Sequence, residues 1–388
     1  MHELEAIVLA NEDSIKKGET TYLATIVNTF GSTYRQQGAK MLITEKGEMV
    51  GTLSGGCVEN DIFQYTKQIE NEPLLIHYDA TKEEEDFTWG FGLGCNGAIK
   101  ILLEKLEISN SLSPLNLIAQ CLKIRKIGAI ATIFNLEGSR DLKIGSRFIL
   151  YPDDTSYTNI ENLALKEAIE NDTITAKNTQ LSTVNKYQLS SGSVTVFIEV
   201  IKPPTSLIIF GAGRDALPVV EIAKTIGWQV SVIDCRAQEE TYRRFARADK
   251  ITLTCRSTIG QQISVDKNTV AVVMTHNYFD DRDIIKFLLP TSIPYLGVMG
   301  SKNRIDKIIQ ELNHPKIQLE KLYSPIGLDI GAETPTEIAS AIVAEIQAVL
   351  TKRNAGFLKY RSQPLHERYS VREKQVKTRD KVLTFEQK

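Results

Sequence analysis

Cysteine is scarce in this chain: there are five in 388 residues, and no two of them form a Cys-x-x-Cys pair. That excludes a disulfide framework and a cysteine-rich zinc site, and free thiols suit a reducing cytoplasm. Long apolar runs are also lacking, so no segment is expected to span a bilayer. Met1 to Asn11 carries acidic residues in place of a basic stretch followed by an apolar one, and no signal peptide is expected. Nor is there an excess of one charge. The 46 Lys and Arg against 48 Asp and Glu give a net charge of −2, which removes the electrostatic case for a nucleic-acid partner. What is present is 42% hydrophobic residues in a chain too long for one core, and two or three globular domains are expected.

The most informative cysteine is Cys57, in Leu53-Ser54-Gly55-Gly56-Cys57-Val58-Glu59. Val58, Ile62, Tyr65 and Ile69 recur at helical spacing, which predicts a helix with Cys57 in its first turn, near the positive end of the dipole. A thiol there ionises more readily. Gly55 and Gly56 let a bulky group approach the backbone, and their N–H groups with the first helical ones are expected to hold an anion. The competing reading is a small buried hydrophobe beside a turn. Cys95 lies in a second glycine-rich segment, Trp89 to Gly97, which cannot be an ordinary strand throughout and reads as a backbone-lined binding loop.

Residues 1–107 and 108–202 are expected to be two copies of one unit. Ala24-Thr25-Ile26-Val27-Asn28 aligns without a gap on Ala131-Thr132-Ile133-Phe134-Asn135, 107 residues further on, and the register carries Gly38 onto Gly145. The apolar strand Ile99 to Glu104 likewise answers Val194 to Glu199. The second copy lacks both the Gly-Gly-Cys turn and the second glycine loop, so any chemistry stayed with the first.

Pro203-Pro204 reads as a linker, after which residues 205–350 take on the rhythm of a doubly wound parallel sheet. The apolar run Ser206 to Phe210 leads into Gly211-Ala212-Gly213-Arg214-Asp215-Ala216, then a helix, then a strand ending at Asp234. Strand, glycines, helix, strand and acid in this order form a dinucleotide fingerprint, with Gly211, Gly213, Ala216 and Asp234 as the binding positions. Arg236 beside Asp234 leaves NAD and NADP unseparated. At later strand ends stand His276, a base or ligand, and Lys302 with Arg304, suited to an anion. Thr334-Pro335-Thr336-Glu337 announces the last helix as a capping box. Residues 351–388 are basic and poor in apolar groups, and read as a frayed tail or an arm for an acidic partner. The fold class is thus α/β: an N-terminal α+β region with a degenerate internal repeat, followed by a Rossmann-type domain.

Gly31-Ser32-Thr33-Tyr34-Arg35, Gly55-Gly56-Cys57-Val58-Glu59, Gly92-Leu93-Gly94-Cys95, Thr275-His276 and Ser324-Pro325-Ile326-Gly327-Leu328-Asp329-Ile330-Gly331-Ala332-Glu333-Thr334-Pro335 occur in the order of the XdhC/CoxI accessory proteins of xanthine dehydrogenase, which this chain resembles. The resemblance implies a cytoplasmic carrier, rather than a turnover enzyme, that binds the molybdenum cofactor (molybdopterin). It further implies protection of the cofactor during sulfuration by a cysteine desulfurase, and delivery to a xanthine dehydrogenase-type apoenzyme. Under it, Arg35, Gly55, Gly56, Cys57 and Cys95 are the cofactor-binding residues. Cys57 coordinates molybdenum or relays sulfur, and Glu59 steers protons. A homodimer is expected from the degenerate repeats and paired domains. Two alternatives stay open: an NAD(P)-dependent oxidoreductase with His276 as the acid-base group, and a nucleotide-sensing regulatory module.

Overall fold

The computed structural model describes residues 2–79, 97–107, 110–138, 141–235, 239–254, 262–312, 319–362 and 371–376. The chain divides into two compact units, Glu3–Pro203 with Ser362–Lys388, and Met1–His2 with Pro204–Arg361.

In the first unit, helix α1 (Glu3–Lys16) precedes strands β1 (Thr21–Gly31), β2 (Lys40–Thr44) and β3 (Met49–Gly51). Helix α2 (Glu59–Thr66) and strands β4 (Leu74–Asp79) and β5 (Gly97–Lys105) follow. The sheet order is β3-β2-β1-β5-β4. The chain then repeats the order of elements: α3 (Pro114–Ile124), β6 (Gly128–Glu137), β7 (Arg147–Leu150), β8 (Ser156–Thr158), α4 (Leu163–Thr179), β9 (Thr183–Leu189) and β10 (Gly192–Ile201). Its sheet runs β8-β7-β6-β10-β9, the same order as the first.

The correspondence reaches single residues. Val27 is skipped in the pairing of β1 with β5, and Phe134, 107 residues on, in that of β6 with β10. The Gly38 N–H donates to the Ile26 carbonyl and the Gly145 N–H to the Ile133 carbonyl, each at 2.8 Å. Both bulged residues join Leu102, Val184 and Phe197 in an apolar cluster drawn from the two sheets. Around that cluster the copies exchange charges. Lys40 of the first reaches Glu199 of the second at 2.5 and 2.6 Å, while Arg147 of the second pairs with Glu104 of the first. Lys40 and Arg147 are 107 residues apart, Glu104 and Glu199 are the aligned strand ends, and all four are buried. Facing away from this interface, each sheet packs on its own helix, α2 against Ile26, Met41 and Ile101, and α4 against Ile133, Phe148 and Val196.

The basic C-terminal region departs from the frayed tail its composition suggests: Arg372–Gln375 forms a strand that pairs parallel to β9. An edge strand needs main-chain partners more than an apolar face, and charged side chains suit that position.

The second unit is a six-stranded all-parallel sheet built from β11 (Ser206–Phe210), β12 (Gln229–Asp234), β13 (Lys250–Leu253), β14 (Thr269–Val273), β15 (Tyr295–Val298) and β16 (Leu322–Tyr323). The order is β13-β12-β11-β14-β15-β16, the doubly wound Rossmann arrangement, with its switch point between β11 and β14. Helices α5 (Ala216–Thr225), α6 (Glu239–Arg244), α7 (Tyr278–Leu288), α8 (Lys302–Leu312) and α9 (Pro335–Leu350) complete it. Leu207 and Ile209 face the core against α5 and α9, whereas Ile208 and Phe210 face the core against α7 and α8. With apolar groups on both faces, β11 reads as an unbroken hydrophobic run. The C-terminal strand, Arg372–Gln375, is β17 and belongs to the first unit.

Candidate functional site

The turn from β3 into α2 contains Gly55 at φ +81° and Gly56 at φ +116°, conformations that suit glycine. A single side chain holds the turn in shape. Glu59 folds back from the start of α2, and one carboxylate oxygen accepts the Thr52 hydroxyl (2.8 Å), the Leu53 N–H (3.0 Å) and the Ser54 N–H (2.8 Å). The other accepts the Ser54 hydroxyl (2.5 Å), the Gly56 N–H (3.0 Å) and the Val58 N–H (3.1 Å). Burial alone raises the pKa of this carboxyl, but the donors from Ser54, Thr52 and Leu53 outweigh it and hold the group at about 2. It is therefore ionised at neutral pH, and its oxygens are filled by the turn itself. That geometry makes Glu59 the organiser of the turn and gives it no proton to steer.

The amides expected to bind an external anion are engaged in the same way. Beyond those on Glu59, the Gly55 N–H donates to the Thr52 hydroxyl oxygen (3.1 Å) and the Cys57 N–H to that of Ser54 (3.0 Å). Each N–H from Leu53 to Val58 thus has an acceptor within the turn. Cys57 also lies outside the helix where the periodicity put it: α2 begins at Glu59 with Val58 as its N-cap. The Cys57 and Val58 N–H groups are taken by the side chains of Ser54 and Glu59, and the helix starts after them. Cys57 itself is exposed and free. A methyl group at Gly56 would meet nothing within 4 Å, whereas one at Gly55 would lie 3.4 Å from the Tyr34 ring. Gly97 packs on the same segment, since a methyl group there would lie 2.3 Å from the Ser32 carbonyl oxygen. The motif residues at 31–34, 55–57 and 97 therefore gather at one end of the first sheet.

Arg35 is committed elsewhere. Its guanidinium forms a two-pronged pair with Glu3 at 2.9 and 2.6 Å, which holds its pKa up and ties α1 to the loop after β1. Cys95, Arg236 and the segment from Trp89 to Asn96 lie outside the described residues. Among the described residues there is no group of three or more His, Cys, Asp or Glu able to hold a metal ion. The second copy passes from β8 into α4 through Asn159-Ile160-Glu161-Asn162, with Asn162 capping α4 and neither glycine nor cysteine present.

In the second unit, the fingerprint positions gather at the switch point. Gly211 has φ +116°, and a methyl group there would lie 2.4 Å from the Met274 carbonyl oxygen. Ala216 is buried as the first residue of α5. Asp234 accepts the Ala212 N–H at 2.7 Å and so fastens the glycine loop to the end of β12. Next to Gly213, Asp215 at the N-cap of α5 pairs with Nε2 of His276 at 2.8 Å. His276 takes a left-handed backbone, φ +57°, at the end of β14. Below it, Thr275 donates to Asp281 and Arg304 pairs with the same carboxylate, both at 2.6 Å. Burial pushes the Asp281 carboxyl up, against the pull of Thr275 and Arg304. The sequence marked His276 and Arg304 but missed Asp215. Its signal was present as an acid at a helix N-cap, while its partner lies 61 residues away.

Comparison with known proteins places both units. Residues 14–79 match the XdhC and CoxI family, and residues 207–346 match the XdhC Rossmann domain. A Bacillus subtilis (strain 168) protein named as a probable xanthine dehydrogenase subunit is 33% identical over 330 residues, 84% of this chain and 92% of that protein. The molybdenum cofactor insertion chaperone PaoD of Escherichia coli (strain K12) is 21% identical over 343 residues, 87% of this chain and 86% of its own. A crystal structure described as a xanthine dehydrogenase from Bacillus halodurans superposes with a TM-score of 0.72 at 27% identity, over 92% of this chain and 97% of that one.

Proposed function

This chain belongs to the XdhC and CoxI family, and on that premise we propose that it is a maturation factor for a xanthine dehydrogenase-type molybdenum hydroxylase. In this reading it carries the molybdenum cofactor as cargo, supports its sulfuration with a cysteine desulfurase and hands it to the apoenzyme. Similarity to a molybdenum cofactor insertion chaperone along most of the chain supports the choice of cargo. The observation that carries the reading is the exposed thiol of Cys57 on a turn pre-tied by Glu59, beside open space at Gly56.

A soft thiolate suits a soft metal centre, and Cys57 either ligates the metal of the cargo or relays sulfur to it. Glu59 acts as a positioning residue: it fixes the turn so that the thiol faces outward. The phosphate of the cargo takes its donors from outside residues 53–58, because those amides are used, and Arg35 offers it the N–H groups that the Glu3 pair leaves over. Cys95 remains the proposed flanking thiol. The test is molybdenum and pterin per chain after purification from molybdate-replete cells, with activation of the client apoenzyme measured in parallel. Cys57→Ala is expected to lower activation sharply; full retention of both readouts sinks the thiol role. Sedimentation of the loaded chain tests the homodimer.

For the second unit the proposed ligand is NAD or NADP, on the strength of the glycine loop at the switch point. Asp215 sets a carboxylate at the helix start where a pyrophosphate would be held, hydrogen-bonded to His276 Nε2. Asp215→Asn is accordingly expected to tighten dinucleotide binding in calorimetry. Binding of neither dinucleotide, by the parent chain or the variant, refutes this assignment.

A further inference from the structure

The two sheets of the first unit differ at one matching edge. In the second copy, β9 is covered by β17, with Arg372 opposite Asn185 and Lys374 opposite Tyr187. The Lys374 ammonium reaches Asp172 of α4 at 2.5 Å, and the same carboxylate accepts the Tyr187 hydroxyl at 2.6 Å. In the first copy, Tyr78 of β4 stands opposite Ile99, as Tyr187 stands opposite the aligned Val194. The Tyr78 hydroxyl donates to Asp61 of α2 at 2.6 Å. The Tyr–Asp pair is thus present in both copies. Among the described residues, however, no strand pairs with the outer edge of β4, and no cation reaches Asp61, which stays partly exposed.

We propose that the outer edge of β4 is the docking site for an extended segment of the client apoenzyme, added as a parallel strand with a Lys or Arg over Asp61. The identity of the partner rests on the maturation reading above; the edge itself does not. The chemistry of the occupant follows from β17, which shows what the matching edge takes: main-chain pairing plus one cation on the helix acid. The chain's own tail is spent on β9, where Asp172 already holds Lys374. Direction gives the contact a purpose. β4 runs toward Asp79, which stands opposite Ala98, so a parallel guest strand runs toward the same end of the sheet at which Gly97 packs on Ser32 and Tyr34 meets Gly55, with β4 and β5 between. A client held there is held at the Cys57 end of the sheet.

The probe is a synthetic peptide with the sequence of Val371–Val376, carrying a photo-cross-linker at its N-terminus and titrated onto the full chain by fluorescence anisotropy. Cross-links to Leu74–Asp79 are expected, with binding weakened about tenfold by Asp61→Asn, the loss of one charge-assisted hydrogen bond. Tyr78→Phe keeps the acid and is expected to bind within about twofold of the parent chain, which separates loss of charge from loss of fold. Asp61→Asn should also weaken the complex with the apoenzyme while leaving molybdenum and pterin per chain unchanged. Binding indifferent to Asp61→Asn, or cross-links confined to Thr183–Leu189, overturns the edge. A client complex untouched by Asp61→Asn overturns the client as occupant. A chain that holds no cofactor yet binds the peptide through Asp61 overturns the maturation reading and leaves the edge standing.

Discussion

Replacing Glu59 by glutamine preserves the size of the side chain and removes the charge on which the Gly-Gly-Cys turn is built. Whichever way the new amide turns, its NH2 faces three former donors: Thr52 hydroxyl, Leu53 N–H and Ser54 N–H on one side, or Ser54 hydroxyl, Gly56 N–H and Val58 N–H on the other. The hydroxyl can rotate and accept, and the Val58 N–H keeps a second acceptor in Ser54 Oγ at 3.0 Å, so two backbone N–H groups are stranded in the first case and one, that of Gly56, in the second. At about 1–3 kcal/mol for each unsatisfied group, the orientation that strands only Gly56 is the cheaper one and costs about 1–3 kcal/mol. Proton linkage gives a second figure. Depression of the carboxyl from 4.5 to about 2 corresponds to about 3 kcal/mol of folding free energy. Because the folded value lies below the unfolded one, this contribution is complete above about pH 5 and is lost as the pH falls toward about 2. Urea denaturation of both chains between pH 7 and 3 provides the assay. Glu59→Gln is expected to be less stable by about 3 kcal/mol at neutral pH, and the gap should narrow as the pH drops. A gap below about 0.5 kcal/mol at pH 7, or one that stays constant to pH 3, refutes the carboxylate as organiser of the turn.

Lys40→Met leaves Glu199 buried without its cation and is expected to cost about 3–5 kcal/mol, most of it recovered in Lys40→Met with Glu199→Leu; a double-mutant cycle in denaturant measures the coupling. Gly211→Ala combines φ +116° with a methyl group 2.4 Å from the Met274 carbonyl oxygen, and should destabilise the second unit by at least about 2 kcal/mol in thermal unfolding. Gly56→Ala meets no neighbour, so only the backbone penalty of about 1–2 kcal/mol is expected, and a larger loss would mean that the space beside Cys57 is filled.

The Rossmann unit was legible because burial on both faces writes itself as unbroken apolar runs, and because the close approach of Gly211 to Met274 permits only glycine. The 107-residue register was legible because the bulged strands kept Ala-Thr-Ile and Asn at matching places. Partners were not legible. Glu59 reads as a proton-steering acid beside Cys57, and nothing in its spacing says that six donors converge on it. Arg35 reads as a free cation until Glu3, 32 residues earlier, is seen to take both of its prongs. Periodicity records which face of an element is buried, and contacts between side chains on different elements leave no periodic trace. The strand at Arg372–Gln375 was missed for a related reason, since main-chain pairing at an edge asks little of composition.

The crossed ion pairs between the two halves of the first unit bear on how such a chain can arise. Each half owns one base and one acid of the set, Lys40 and Glu104 in one, Arg147 and Glu199 in the other. Neither half closes a bridge within itself, yet two molecules of a single half carry everything needed to close both bridges on each other. The arrangement is that of a symmetric pair of identical protomers written into one polypeptide. Once joined, the halves need keep only their shared lock, and one is at liberty to lose its loops while the other specialises in Cys57.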